Sequence, residues 1–346
     1  MRHSFSNTLK IFMWIVVLCL ARCSTLGTIN TPPPIHTSVG MPTSPMVVTP
    51  TLLPLTGKIA FLWGSGEIWG DIHIYTMNAN GSELMDVTPP NLRSINNLSW
   101  SPDGQHIAFE ASKDGVIQIF KMKANGSDLV QLTFGEEHSY RPSWSPDGKN
   151  MLFASSSRDI LDYNDLPAQQ IYIMKSDGSE VRRFIVERKT NNTSMSGRYR
   201  MDGLIAVVEP ITRYAVVNYI VNSDGVIQKQ FPEFRTTAPI VWSPDGKFVV
   251  YSPSRVNSDC FGLVLRKFDG SEIFCLKIDE AITNQTSGQI IGVEGASWSP
   301  DGKYLIFSSN LDGDTDIYVI KPDDTGLSQL TNLPGNEGGA VWWSAP

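Results

Sequence analysis

From residue 57 onward, apolar and polar residues alternate in short runs, and each run stops at a turn rich in Gly, Pro, Asn or Asp. Ile74-Tyr75-Thr76-Met77 leads into Asn80-Gly81-Ser82, and Ile171-Tyr172-Ile173-Met174 leads into Asp177-Gly178-Ser179. A period of two predicts half-buried strands. Asn-Gly and Asp-Gly supply the positive φ angles of tight hairpins, so strand and turn chemistry agree. The same hairpin recurs at Ile119 to Ser127, Tyr219 to Gly225, Leu263 to Ser271 and Ile317 to Gly326, six times in all.

A second marker, Trp-Ser-Pro-Asp-Gly, stands at Trp100, Trp144, Trp242 and Trp298, and the chain ends on a truncated copy, Trp343-Ser344-Ala345-Pro346. Successive spacings are 44, 98, 56 and 45, and the long gap hides a worn copy, Tyr199-Arg200-Met201-Asp202-Gly203. Each unit therefore holds four strands: one ending at the Trp, one after the first Asp-Gly, the Ile-Tyr strand, and one closing on Leu-Thr. Six such units predict an all-β fold, a six-bladed propeller of four-stranded antiparallel blades. Gly57 to Phe61 begins as a second strand with no Trp strand before it, while Glu337 to Ser344 is a Trp strand with nothing after it. The C-terminal strand is expected to complete the first blade, which removes two free sheet edges.

Trp-Ser-Pro-Asp-Gly followed by Ile-Ala-Phe, then Ile-Tyr-x-Met, Asp-Gly-Ser and Leu-Thr, resembles the TolB-type six-bladed β-propeller family, WD-repeat-like proteins of the bacterial envelope. The resemblance covers residues 57–346. It implies a module that binds proteins or small ligands through its central channel. TolB itself places an α/β domain ahead of its propeller, and here that position holds a linker.

The linker and what precedes it form an address. Arg2 and Lys10 precede the apolar run Ile11 to Leu20, about half the roughly 20 residues that span a bilayer, so residues 1–23 read as a signal peptide. Leu20-Ala21-Arg22-Cys23 resembles the bacterial lipobox, with Arg22 in place of a small residue. Cys23 is the expected lipidation site; ordinary cleavage and an uncleaved anchor are the alternatives. Each places the remainder outside the cytoplasm, as a periplasmic or surface lipoprotein or a secreted form, with membrane contact through the anchor only. Residues 24–56, rich in Thr and Pro and free of charge, read as an extended tether.

Composition narrows the function. The net charge of -7 includes Arg2, Lys10 and Arg22, so residues after 56 carry 25 bases against 35 acids, or -10. That balance argues against a nucleic-acid surface. Cys260 and Cys275 bracket one hairpin and are placed for a disulfide, which export permits; a free pair is the alternative. No Gly-x-Ser-x-Gly occurs, so the nucleophile elbow of propeller-bearing peptidases is missing. His73, His106 and His138 are scattered and follow no metal-ligand spacing, and Asp312, Asp314 and Asp316 alternate like the start of a Ca²⁺ loop without its Gly and Glu. No cofactor or metal is expected.

Strand parity locates a binding face. The turns after first and third strands are the tight Asp-Gly ones; the opposite side receives every insertion, including Ala154 to Gln170, which carries Arg158 and Tyr163. Variable loops on a rigid scaffold are where binding usually resides. Residues leading into the innermost strands on that side are Arg93, Asn96, Glu137, His138, Tyr140, Arg141, Arg198, Arg235, Glu294 and Glu337. They read either as a solvated rim of weak ion pairs or as convergent polar groups of a site for an envelope protein, a small molecule or a glycan. A carbohydrate-active lyase or hydrolase, with Glu137, His138 and Glu294 as acid and base, is the competing class. The repeated Trp residues are expected in the contacts between blades, whereas Trp63 and Trp69 flank a Gly-rich loop where exposed stacking is the competing role.

Overall fold

The computed structural model describes residues 55–344 except 66–70, 162–166, 187–195, 213–214, 232–239, 254–259, 261, 277, 279–292 and 312. The chain divides between residues 45 and 46, and the described residues all belong to the second unit. The signal peptide, Cys23 and all but the end of the tether thus lie outside them, as do Trp69, Tyr163 and Arg235.

Six four-stranded antiparallel sheets follow one another along the chain. Blade 1 opens with β1 (Lys58–Gly64), β2 (Ile72–Asn78) and β3 (Met85–Asp86). Blade 2 is β4 (Arg93–Trp100), β5 (His106–Lys113), β6 (Val116–Lys123) and β7 (Val130–Gln131). Blade 3 is β8 (Ser139–Trp144), β9 (Asn150–Leu161), β10 (Pro167–Lys175) and β11 (Arg182–Arg183). Blade 4 is β12 (Ser196–Tyr199), β13 (Ile205–Thr212), β14 (Ala215–Val221) and β15 (Ile227–Gln230). Blade 5 is β16 (Val241–Trp242), β17 (Phe248–Tyr251), β18 (Leu263–Lys267) and β19 (Ile273–Leu276). Blade 6 is β20 (Val293–Trp298), β21 (Leu305–Ser309), β22 (Asp316–Ile320) and β23 (Ser328–Gln329). The last strand, β24 (Asn336–Trp343), returns to pair antiparallel with β1 and completes blade 1.

The first strand of each blade is innermost: β24 contacts β4, β4 contacts β8 and β8 contacts β12, while β16 contacts β20 and β20 contacts β24. The core is a set of contacts between neighbouring blades. Trp100 packs with Ala60 and Ile74 of blade 1, Trp144 with Ala108 and Ile119 of blade 2, and Trp298 with Val250 and Leu265 of blade 5. Trp242 joins Ile220 and Phe231 of blade 4, and Tyr199 takes the Trp position between blades 3 and 4. The expectation that these rings pack between blades holds.

One register differs from the reading of the terminus. Trp342, not Trp343, lies opposite Ile59, as Trp100 lies opposite Ile107. The one-residue bulge between Ala60 and Leu62 in the β1 pairing, with Gly339 at φ 61, recurs in the first strands of blades 2, 3 and 6, and Trp342 stands three residues after it as Trp100, Trp144 and Trp298 stand after Asn97, Arg141 and Gly295. Trp342 therefore fills the contact between blades 6 and 1, and Trp343 reaches across to Trp100 of blade 2, with ring centroids 6.3 Å apart.

The Ser-Pro-Asp-Gly turns are built alike. The Ser101 hydroxyl donates to Asp103 Oδ1 (2.5 Å) and accepts from the His106 amide (2.9 Å), while Asp103 Oδ1 accepts from the Gln105 amide (3.0 Å). Ser145, Ser243 and Ser299 repeat the arrangement. Hydrogen bonds from the Ser145 hydroxyl and the Lys149 amide hold the Asp147 carboxyl below its ordinary range. In the worn copy Arg200 replaces the Ser, donates to Asp202 at 2.9 Å and stacks on Trp242 with its guanidinium 4.5 Å from the ring centroid.

Candidate functional site

The turns after first and third strands lie together on one face, and the links from second to third strands, among them the tight Asp114-Gly115 turn of blade 2, and from one blade to the next lie on the other, as parity requires. One insertion is more ordered than the sequence suggested. Ala154 to Gln170, expected as a loop, continues as paired strands, with Ser157 opposite Ala168 and Leu161 opposite Pro167. Paired backbone amides satisfy one another, so a polar stretch can extend as a hairpin beyond the blade. Arg158 lies in that extension, where only the backbone is described.

Around the mouth the predicted residues separate into groups. Arg93 and Asn96 are exposed at the start of β4. Glu137 is exposed, and its carbonyl accepts from Gln118 Nε2 at 3.0 Å. His138 serves the fold: its Nδ1 accepts the Ile117 amide at 3.0 Å, and its ring stacks on Tyr140 with centroids 5.9 Å apart. Gln118 and Thr133, both buried, complete this corner, the Thr133 hydroxyl donating to Gln118 Oε1 at 2.5 Å. Glu294 is placed by its backbone opposite Ser308. Glu337 is buried with Asp316, against Thr331; this corner is closed and does not open to a ligand.

The remaining predicted residues converge. Arg141 sits at a bulge in β8 with φ 53, and its amide donates to Glu110 Oε2 at 2.7 Å. Its Nη1 lies 3.3 Å from Gln169 Oε1. The Tyr199 amide donates to Ser143 Oγ at 3.0 Å, tying β12 to β8, and Arg198 lies within reach of the Arg141 charge. Burial, then the Arg141 charge, lowers the Arg198 pKa, and Glu110 partly offsets both. Burial, then Glu110, raises that of Tyr140. Glu110 was not among the residues singled out from sequence. The available signal was a lone carboxylate inside the apolar run Ile107-Ala108-Phe109-Glu110-Ala111.

Trp63 is not an exposed platform, since its Nε1 donates to the Pro334 carbonyl at 3.1 Å and its ring meets His73 and Tyr75 edge-on. A cleft of about 220 Å³ lies on the tight-turn face between blades 1 and 2, lined by Lys58, Met77, Glu83 and Lys123. Lys123 is paired with Asp128 at 2.6 Å. Cys260 and Cys275 form a disulfide with Cα atoms 5.6 Å apart, inside blade 5.

Comparison with known proteins agrees with this architecture. Residues 42–168 match the TolB beta propeller domain family. A stretch of 36 residues is 50% identical to the Tol-Pal system protein TolB of Syntrophus aciditrophicus (strain SB), covering 10% of this chain and 8% of that protein. Among solved structures, TolB from Acinetobacter baumannii is similar at 19% identity and TM-score 0.63, over 83% of this chain and 67% of that one. Kuenenia stuttgartiensis hydrazine synthase is similar at 15% identity and TM-score 0.63, over 84% of this chain and 47% of that one. The putative TolB from Agrobacterium tumefaciens is similar at 16% identity and TM-score 0.54, over 83% of this chain and 99% of that one. At such identities the likeness is one of fold.

Proposed function

We propose that this chain, a TolB-type six-bladed β-propeller, is an exported, lipid-anchored binding module of the bacterial cell envelope that holds a protein partner at the loop-face mouth of its channel. The observation that carries the reading is the convergence of Arg141, Arg198, Tyr140 and Glu110 at the inner strands of one face. Rigid strands hold these groups in place, and preorganisation of this kind lowers the entropy lost on binding. Of the three groups suspected of acid and base work, Glu137, His138 and Glu294, the first two are a solvent-facing carboxylate and a ring nitrogen engaged by a backbone amide, which supports binding over catalysis. Cys23 anchors the mature chain, and the Thr/Pro-rich tether, at about 3.1 Å per extended residue, sets the propeller off from the membrane.

The test is affinity capture from native envelope with the tethered protein, beside fractionation of Cys23→Ser. The reading expects a reproducible partner lost on substituting loop-face residues and kept on substituting the tight-turn face. It also expects Cys23→Ser to leave the membrane fraction. A partner insensitive to the loop face, or a variant still membrane-bound, contradicts it.

A further inference from the structure

Two arginines and one carboxylate meet at the blade 2 to blade 4 side of the mouth. Glu110 is 6% exposed and accepts the Arg141 backbone amide rather than its guanidinium. Arg141 turns out of its strand at a left-handed φ of 53, with Gln169 beside its Nη1 at 3.3 Å. Arg198 follows on the adjacent inner strand, fixed by the bond from the Tyr199 amide to Ser143. Arg141 and Arg198 are both partly exposed residues, and among the described residues no ion pair joins either guanidinium to a carboxylate, although the Glu110 charge acts on Arg198. The cluster carries a net positive charge inside a protein of net charge -7.

Two partly buried cations offset by a single carboxylate bear part of their desolvation cost uncompensated. Arginine does not relieve that cost by losing its proton, so an anion from outside must supply the balance. We infer that Arg141 and Arg198 form a receptor for one carboxylate of the partner, an Asp, Glu or chain-terminal carboxylate on an extended segment entering the mouth. A guanidinium fork matches a planar carboxylate in two parallel hydrogen bonds, and the Gln169 amide and Tyr140 hydroxyl stand nearby as further polar groups. The net negative charge of the protein disfavours a polyanion such as a phosphate-rich polymer, which leaves a single carboxylate as the better fit. Burial and the Arg141 charge both lower the Arg198 pKa, the direction expected of a cation awaiting a partner.

This inference rests on the binding reading above, and its test separates the two. Calorimetric titration with succinate and with inorganic phosphate is run on wild type, on Arg198→Gln, on Arg141→Asn with Arg198→Gln, and on Lys229→Gln as a charge control in the outer strand β15. Asn tolerates the left-handed backbone at position 141, and Arg198→Gln alone carries the test if the double variant fails to fold. Succinate is expected to bind wild type and Lys229→Gln alike, more tightly than phosphate, and at least roughly ten-fold more weakly to the double variant. Unchanged succinate affinity in the folded Arg198→Gln and double variants, or a preference for phosphate, overturns the inference. If the double variant still captures the envelope partner through the loop face, the carboxylate receptor falls and the binding module stands.

Discussion

The Thr331 hydroxyl of blade 6 donates to Glu337 Oε2 at 2.7 Å beside the fully buried Asp316, and with Glu337 1% exposed this bond clips the last strand of the chain to blade 6. Burial raises the Glu337 pKa, and hydrogen bonds from Asp316, the Thr331 hydroxyl and the Leu333 amide only partly offset it. Folded Glu337 thus keeps its proton to a higher pH than the unfolded chain does. Its contribution is fully present below the ordinary carboxylate range and is lost as pH rises through the folded value. Glu337→Gln keeps an acceptor for Thr331 and gives Asp316 an amide donor. Relative to wild type, the variant should gain stability between pH 4 and pH 8 by about 1.4 kcal/mol for each unit of raised pKa. Chemical denaturation at the two pH values measures this; a constant or shrinking difference contradicts it.

Ring closure depends on the tryptophans at the end of the chain. Trp342 is 8% exposed in the contact between blades 6 and 1, and its Nε1 donates to the Thr56 carbonyl at 2.9 Å. Trp342→Ala should cost about 3–5 kcal/mol. Gly104 has φ +64, and a methyl group there would overlap the Trp343 ring, so Gly104→Ala should cost about 1–3 kcal/mol. Urea midpoints read both, and a wild-type midpoint in either variant contradicts the packing.

The Cys260–Cys275 bridge spans a sequence separation of 15. Replacing both cysteines with serine should destabilise the protein by about 2–4 kcal/mol. Thermal unfolding with and without reductant should show a matching drop in Tm for wild type and none for the variant.

Tyr199 occupies the Trp position between blades 3 and 4, and burial pushes its pKa up to about 12, Asp147 adding to the shift. In a spectrophotometric alkaline titration it should ionise late, together with loss of the fold. Tyr199→Phe should remove that late component and leave the earlier tyrosines unchanged.

Much of this was legible in the sequence because the turns are local. Each Asp-Gly or Asn-Gly fixes a hairpin through its own backbone needs, and even Tyr199-Arg200-Met201-Asp202-Gly203 kept the turn after losing the Trp and Ser. Residues leading into first strands were legible as a set, since parity alone puts them on one face. What the pattern did not carry was pairing across blades. Asp316 and Glu337 lie on β22 and β24, and nothing local distinguishes Glu337 from a solvent-facing carboxylate such as Glu137. Glu110 lies on β5 and the amide it accepts lies on β8, so the contact that engages it is not local. Trp342 rather than Trp343 stands three residues after the bulge residue Gly339, the spacing that blades 2, 3 and 6 show, and two adjacent tryptophans give no local way to choose between them.

The central claim is that the loop face, not the tight-turn face, holds the partner. Photo-crosslinking from a benzophenone amino acid at Tyr140, at the mouth, and at Asn125, in a tight turn opposite, tests it within intact envelope. The account predicts a discrete crosslinked species from position 140 and none from position 125; a species from position 125 with none from position 140 contradicts it.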